Sequence, residues 1–295
     1  MKITIETLKE FRASEDEIAM FNQMFPGGEE YQKVLDTYCR AGYNNFASWL
    51  FYKLGSTDDV LVFDKYFHDE SLDIVFAGHI ECKDTIHVHR IICSSIHSAF
   101  GIISGSDIFV KGLLSDGFGT LAETRIVAGS IRSGRELVSA KSGIATTEGD
   151  IEADMIEVYS DVEAKGAIKC DSIKAGRDII ADSDIIVYGD VHAGGNINTE
   201  GTIFSRGYLV AGEDIKATYS KTGDTIYAGI KSGDYIKAGG NVISGKNIIA
   251  GYNIYAGIGV AIDRWRTHGV VSAKRKPENV ISGLFVQYEV VDNPE

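Results

Sequence analysis

Aliphatic residues recur at every sixth position through the middle of this chain, at Ile173, Ile179, Ile185, Val191, Ile197, Ile203, Leu209 and Ile215. That spacing excludes an amphipathic helix, whose apolar period is about 3.6 residues, and a meander, whose strands recur every 8–12 residues or so. Six residues are enough for one short strand and one corner. The clearest copies read AGGNVI, SGKNII, AGYNIY and AGIGVA. In each, the aliphatic side chain points inward, the small residue and glycine permit the bend, and Asp or Asn holds the turn through side-chain hydrogen bonds. The repeat predicts a mainly β fold, a single-stranded β-solenoid (β-helix) of six-residue units with three units, about 18 residues, per coil.

The register runs through Ile74, Ile80, Ile86 and Ile92, shifts, and resumes at Ile96, Ile102, Ile108 and Leu114. From 115 to 172 the spacings are uneven, and a polar insertion near Thr218 to Asp224 interrupts the later run, which resumes at Ile230 and ends at Val260. Stacked at ~4.8 Å per strand, the span 74–260 makes a rod of roughly 50 Å with about ten coils. The 33 glycines against 3 prolines fit regular tight bends, because disordered low-complexity chains enrich both residues.

The flanks have other periods. Ser14 and Glu17 form a capping box that opens a helix carrying Ile18, Phe21 and Phe25, closed by Pro26-Gly27-Gly28. A second helix carries Tyr31, Val34, Leu35 and Tyr38 and stops near Gly42. A third, capped by Asn44 or Asn45, carries Phe46, Trp49, Leu50 and Leu54 and ends at Gly55. Three short helices make a marginal core, so this head is expected to dock on the solenoid end or on a partner. At the other end, Leu284, Val286, Tyr288 and Val290 alternate as in a strand with one buried face that covers the last coil. The division is a helical head at 1–55, a connector or first cap at 56–73, a solenoid at 74–262 and a C-terminal β cap at 263–295.

Two resemblances follow from these motifs. The repeat I-x-A-G-x-[DN], as in Ile236-Lys237-Ala238-Gly239, resembles bactofilin-type polymer-forming solenoids, which implies end-to-end assembly. It departs from the hexapeptide-repeat acyltransferases, where glycine directly follows the aliphatic residue. The whole layout resembles uncharacterised proteins of phage and prophage genomes. The motifs shared with them are Ser48-Trp49-Leu50-Phe51 closing the head, and a tail from Ala256-Gly257 through Asp263-Arg264-Trp265 to Val271-Ser272-Ala273-Lys274. A phage setting implies an inhibitor of a bacterial defence complex, acting in the host cytoplasm.

The sequence carries no nucleophile elbow, phosphate loop or dinucleotide fingerprint in a strand-to-helix context. Asp178, Asp184, Asp190, Asn196 and Asp214 keep step with the repeat, which makes them corner residues rather than an acid–base pair. His87 and His89 share a strand face with His79 and His97 nearby, but without a convincing ligand spacing no metal site is assigned. His192 is the one histidine in the regular half and the candidate of a transferase alternative. No enzyme activity and no cofactor are expected.

The net charge of −13 opposes direct nucleic-acid binding, suits a basic partner, and allows an acidic DNA mimic. Four separated cysteines and the absence of an apolar span fit a soluble, cytoplasmic protein away from membranes. The expected role is protein binding, to a host protein complex or within a homo-oligomer. The residues expected to bind a partner are Trp49, Phe51, Tyr219, Tyr227, Tyr252, Tyr255, Trp265 and Arg266, because exposed aromatics and arginines anchor interfaces.

Overall fold

The computed structural model describes residues 1–217 and, beyond them, 230–232, 235–238, 241–244, 247–250, 253–256, 259–262, 270–273, 275–281 and 283–287. It is a parallel β-solenoid of about 11 turns with about 18 residues per coil. Each short strand pairs with the third strand after it, so three ladders run the length of the rod.

The ladders are built of the residues that set the repeat. On the first face Ile168, Ile185, Ile203, Ile230, Ile248 and Val271 are in register. On the second, Ile173 is followed by Val191, Leu209, Ile236 and Ile254. On the third, Ile179 is followed by Ile197, Ile215, Val242 and Val260. All of these ladder residues are buried. Each strand reads in, out, in. The second inward position is small, as in Ala175, Ala193 and Ala211, because it lies where the chain begins its corner.

The uneven stretch from 115 to 172 keeps the same ladders. Ile126, Ile131, Leu137, Ile144, Ile151, Ile156 and Val162 are all interior, and the extra residues enter at corners, as between Ile131 and its partner Ile151. The register also crosses the 218–224 insertion, which lies outside the described residues, since Ile203 pairs with Ile230.

Corner Asp and Asn side chains hold the turns. Asp178 Oδ1 accepts from the Asn196 amide at 2.6 Å, Asn196 Oδ1 from the Asp214 amide at 3.1 Å, and Asp184 Oδ1 from the Thr202 amide at 2.7 Å. Each anchors a residue 18 positions on, one coil away.

Parallel pairing begins at the strand Val60–Phe63, which lies in register with Phe67–Cys82. Leu61, Phe63 and Phe67 pack on the core, so the 56–73 segment contributes the first rung. At the other end, Leu284–Gln287 adds a parallel rung to Val270–Ala273. Its phase differs from the expected one. Phe285 packs on the core, while Leu284 and Val286 are exposed. Tyr288 and Val290 lie outside the described residues.

The head has four helices: α1 (Ile5–Glu10), α2 (Glu15–Met24), α3 (Tyr31–Arg40) and α4 (Asn44–Leu54). The Ser14–Glu17 capping box is present, with the Glu17 amide donating to Ser14 Oγ and Glu17 accepting from the Ser14 amide. A second box, Thr4 with Thr7, opens α1; the sequence reading missed this helix because threonine replaces the usual Glu or Gln. The head docks on the flank of the solenoid at its N-terminal end. Val75, Ile92 and Phe109 are register neighbours on three successive rungs of the third face. With Ala77 they pack into the head core.

This docking corrects the placement of Ile92, whose six-residue spacing from Ile86 put it inside. Ile91 fills the solenoid core, and alternation turns Ile92 outward under the head. Gln32 on α3 completes the joint: its Nε2 donates to the Val75 carbonyl at 2.9 Å, and its Oε1 accepts from the Ala77 amide at 2.8 Å. Replacing Gln32 by alanine strands both backbone groups, at about 1–3 kcal/mol for each buried group. The expected result is earlier proteolytic release of the head, with the solenoid's β-type circular dichroism retained.

Asp116 occupies a small inward position and is 6% exposed. Burial raises its pKa above the ordinary 3.8, opposed by hydrogen bonds from the Thr120 and Ser133 hydroxyls and the Gly134 and Phe118 amides. An acid whose value is raised by folding stabilises most below its unfolded value, and that stability is lost as pH rises through the folded value. Thermal unfolding should therefore show a fall in stability above pH 3.8 that is smaller in Asp116→Asn than in the parent.

Candidate functional site: an aromatic and arginine corner

One corner differs from the other two. It joins the first face to the second and does not border the third face, which carries the head. Side chains here follow the small inward residue and point away from the core, so packing does not dictate them.

Phe100, Phe118 and Arg135 succeed one another on adjacent coils. The Phe118 amide donates to the Phe100 carbonyl at 2.8 Å, and the Glu136 amide to the Phe118 carbonyl at 3.4 Å. Phe100 and Phe118 are 55% and 53% exposed, and the Arg135 guanidinium lies 4.8 Å from the Phe118 ring centre. The next two coils carry Asp154 and Asp171, joined by a 2.8 Å backbone hydrogen bond.

Tyr188 follows, with the Arg206 guanidinium 5.1 Å from its ring centre. Tyr208 and Tyr235 close the run with rings stacked at 5.4 Å and 9°. The charge of Asp190, and a hydrogen bond with it, raise the pKa of the Tyr208 phenol. From Phe118 to Tyr188 is four coils, about 19 Å at ~4.8 Å each. A shallow hollow beside Tyr188 is lined by Arg132, Glu152, Asp154, Lys169 and Asp171. Two cationic groups held over aromatic rings, separated by acidic rungs, are the residue types that anchor protein interfaces. They offer planar apolar contact and fixed hydrogen-bond donors.

The residues expected from sequence divide unevenly. Phe51 is 1% exposed in the head core, so it is not a partner-binding residue; the adjacent Tyr52 takes the outward position, edge-on to Phe109 at 4.8 Å. Trp49 is half-buried, stacked on Phe46 at 5.3 Å. Tyr255 is 54% exposed on the second face, with its hydroxyl 3.0 Å from Asn253 Nδ2. Tyr219, Tyr227, Tyr252, Trp265 and Arg266 lie outside the described residues. Phe100, Phe118, Arg135, Tyr188 and Arg206 were not anticipated; their signal is an aromatic or arginine recurring at corner positions once the coil register is known.

His68 and His87 are stacked on adjacent coils, while other histidines make separate contacts. His79 Nδ1 lies 2.5 Å from Ser95 Oγ and His97 Nδ1 lies 2.9 Å from Ser115 Oγ. His192 is exposed between its register neighbours Lys174 and Val210.

The four helices of the head end at Leu54. Residues 1–56 match the model of the YdhT N-terminal domain family. No curated protein and no solved structure matches the chain. The segment similar to that family model is thus the part that docks through Gln32 on the third face, and the corner lies beyond it on the solenoid. No helix among the described residues is long and apolar enough to cross a membrane.

Proposed function

We propose that this chain is a non-enzymatic, protein-binding solenoid whose recognition element is the corner from Phe100 to Tyr235. The observation that carries the reading is the arginine-over-aromatic pairing at two places on one corner, Arg135 with Phe118 and Arg206 with Tyr188. Exposed pairs of this kind add little to folding, about 0.5–1 kcal/mol, yet they hold large rigid side chains ready for contact. Periodic carboxylates such as Asp178 and Asp184 are engaged in corner hydrogen bonds, which favours a scaffold over a catalyst.

In a phage-type setting the partner is a host protein complex, and the chain is an inhibitor of bacterial defence. Its net charge of −13 fits a partner surface that is basic around an apolar centre, including one that ordinarily meets DNA. The test is affinity capture of the tagged full chain from host lysate with stoichiometry measured, alongside a Phe118→Ser/Tyr188→Ser double variant. A partner in fixed ratio that is lost from the variant supports the reading; equal capture by both chains removes it.

A second reading, end-to-end self-assembly, is favoured by the strand Val60–Phe63. It pairs on one side with Phe67–Cys82, and among the described residues no strand pairs with its other edge. Open parallel edges recruit further strands. Light scattering across a concentration series separates the two, since self-assembly requires mass to grow with concentration and a soluble binder or closed oligomer does not.

A further inference from the structure

We infer that His68, Glu70 and His87 form a binding site for a divalent transition-metal ion of the zinc class. The three ligand atoms lie within 4.8 Å of one another. His68 and His87 are register partners on adjacent coils of the second face. Glu70 lies two residues beyond His68, on the same side of its strand by alternation. Its Oε1 is 3.1 Å from His68 Nε2 and 3.6 Å from His87 Nε2.

These separations match a coordination shell. Ligand bonds of ~2.0–2.2 Å at tetrahedral angles place donor atoms roughly 3.4 Å apart, between the two distances found. The donor set also selects the ion. Two neutral imidazoles and one carboxylate suit Zn²⁺ and its transition-metal neighbours, whereas Mg²⁺ and Ca²⁺ favour shells of oxygen.

The two imidazole rings stack at 4.6 Å with 16° between their planes. Loading the site therefore requires one ring to turn about its Cβ–Cγ bond, a broad torsion in histidine. His68 and Glu70 are exposed and His87 is partly so, which leaves a fourth position open to water. A bound ion would join the strand Phe67–Cys82 to Ile86–Ser98 and clip the first two rungs of the second face together. The sequence paired His87 with His89; the coil register pairs it instead with His68.

The site uses none of the corner residues of the proposed function, and metal binding is read without a protein partner, so the two tests fail separately. The full chain, stripped with a chelator, is titrated with zinc chloride by calorimetry and with cobalt chloride by visible absorption. The parent should bind one equivalent of zinc and give cobalt bands of a low-coordinate site. His87→Ala and Glu70→Gln should each weaken binding at least roughly tenfold, the scale at which even outer-shell partners act. His192→Ala, a remote exposed histidine, should leave binding unchanged. These side chains lie outside the core, so circular dichroism without metal should be the same for all variants. Absence of zinc binding by the parent, or binding that survives His68→Ala/His87→Ala, overturns the inference.

Discussion

Ile197→Asp should abolish cooperative folding of the solenoid, and Ile197→Ala should lower its stability by about 2–5 kcal/mol, the usual cost of a large-to-small change in a packed core. Ile197 is fully buried between Ile179 and Ile215 on the third-face ladder. Alanine removes the contacts that bind one coil to the next and leaves a void that rigid neighbouring rungs do not close. Aspartate adds an unpaired charge in an apolar interior, a penalty of several kcal/mol after relaxation. Total stability of a domain is only about 5–15 kcal/mol. Coils touch only their neighbours, so a break in the middle uncouples the two halves. Urea unfolding followed by far-UV circular dichroism reads both effects. His192→Ala, outward on the second face, should stay within about 0.5 kcal/mol.

Gly194→Val is expected to be nearly as damaging, for a different reason. Gly176, Gly194 and Gly212 stack at one corner, and a Cβ on Gly194 would collide with the Gly176 carbonyl oxygen, just as one on Gly212 would collide with that of Gly194. Gly194 is not among the glycines with positive φ, so close approach of successive backbones is what requires glycine here. The obstruction is backbone in a hydrogen-bonded corner, with the Gly194 amide donating to the Ala175 carbonyl at 3.0 Å. It has little freedom to move aside. Overpacking costs about 1–3 kcal/mol for small additions; valine should exceed alanine, and both should lower the unfolding midpoint. Gly27→Ala, where nothing lies within 4 Å of the added Cβ, should be close to neutral.

The solenoid was legible in the sequence because one physical event, an inward aliphatic on each rung, repeats at a fixed interval from Ile173 to Ile215. Where a second demand overlaps the first, legibility fails. Ile91 and Ile92 are both aliphatic because one fills the solenoid and the other seats the head, and spacing alone cannot order them. Phe285 and Leu284 present the same ambiguity at the last rung. In the head, apolar periodicity located three helices but left Phe51 off the apolar face, although the helical stripe Phe46, Ala47, Leu50 and Phe51 of α4 is buried.

The corner was hidden for a geometric reason. Phe118, Arg135, Tyr188 and Arg206 are far apart in sequence, and insertions at the intervening corners vary the offset from coil to coil. Only the register of the ladders aligns them. The pairing of His68 with His87 was concealed in the same way.

The most direct test of the central claim is site-specific photo-crosslinking in host cells. A benzophenone side chain is placed at Tyr188 on the corner and, in a separate chain, at His192 on the second face. The account expects a single discrete adduct with a host protein from position 188 and none from position 192. Equal labelling at both positions, adducts only between copies of this chain, or no adduct from 188 would contradict it.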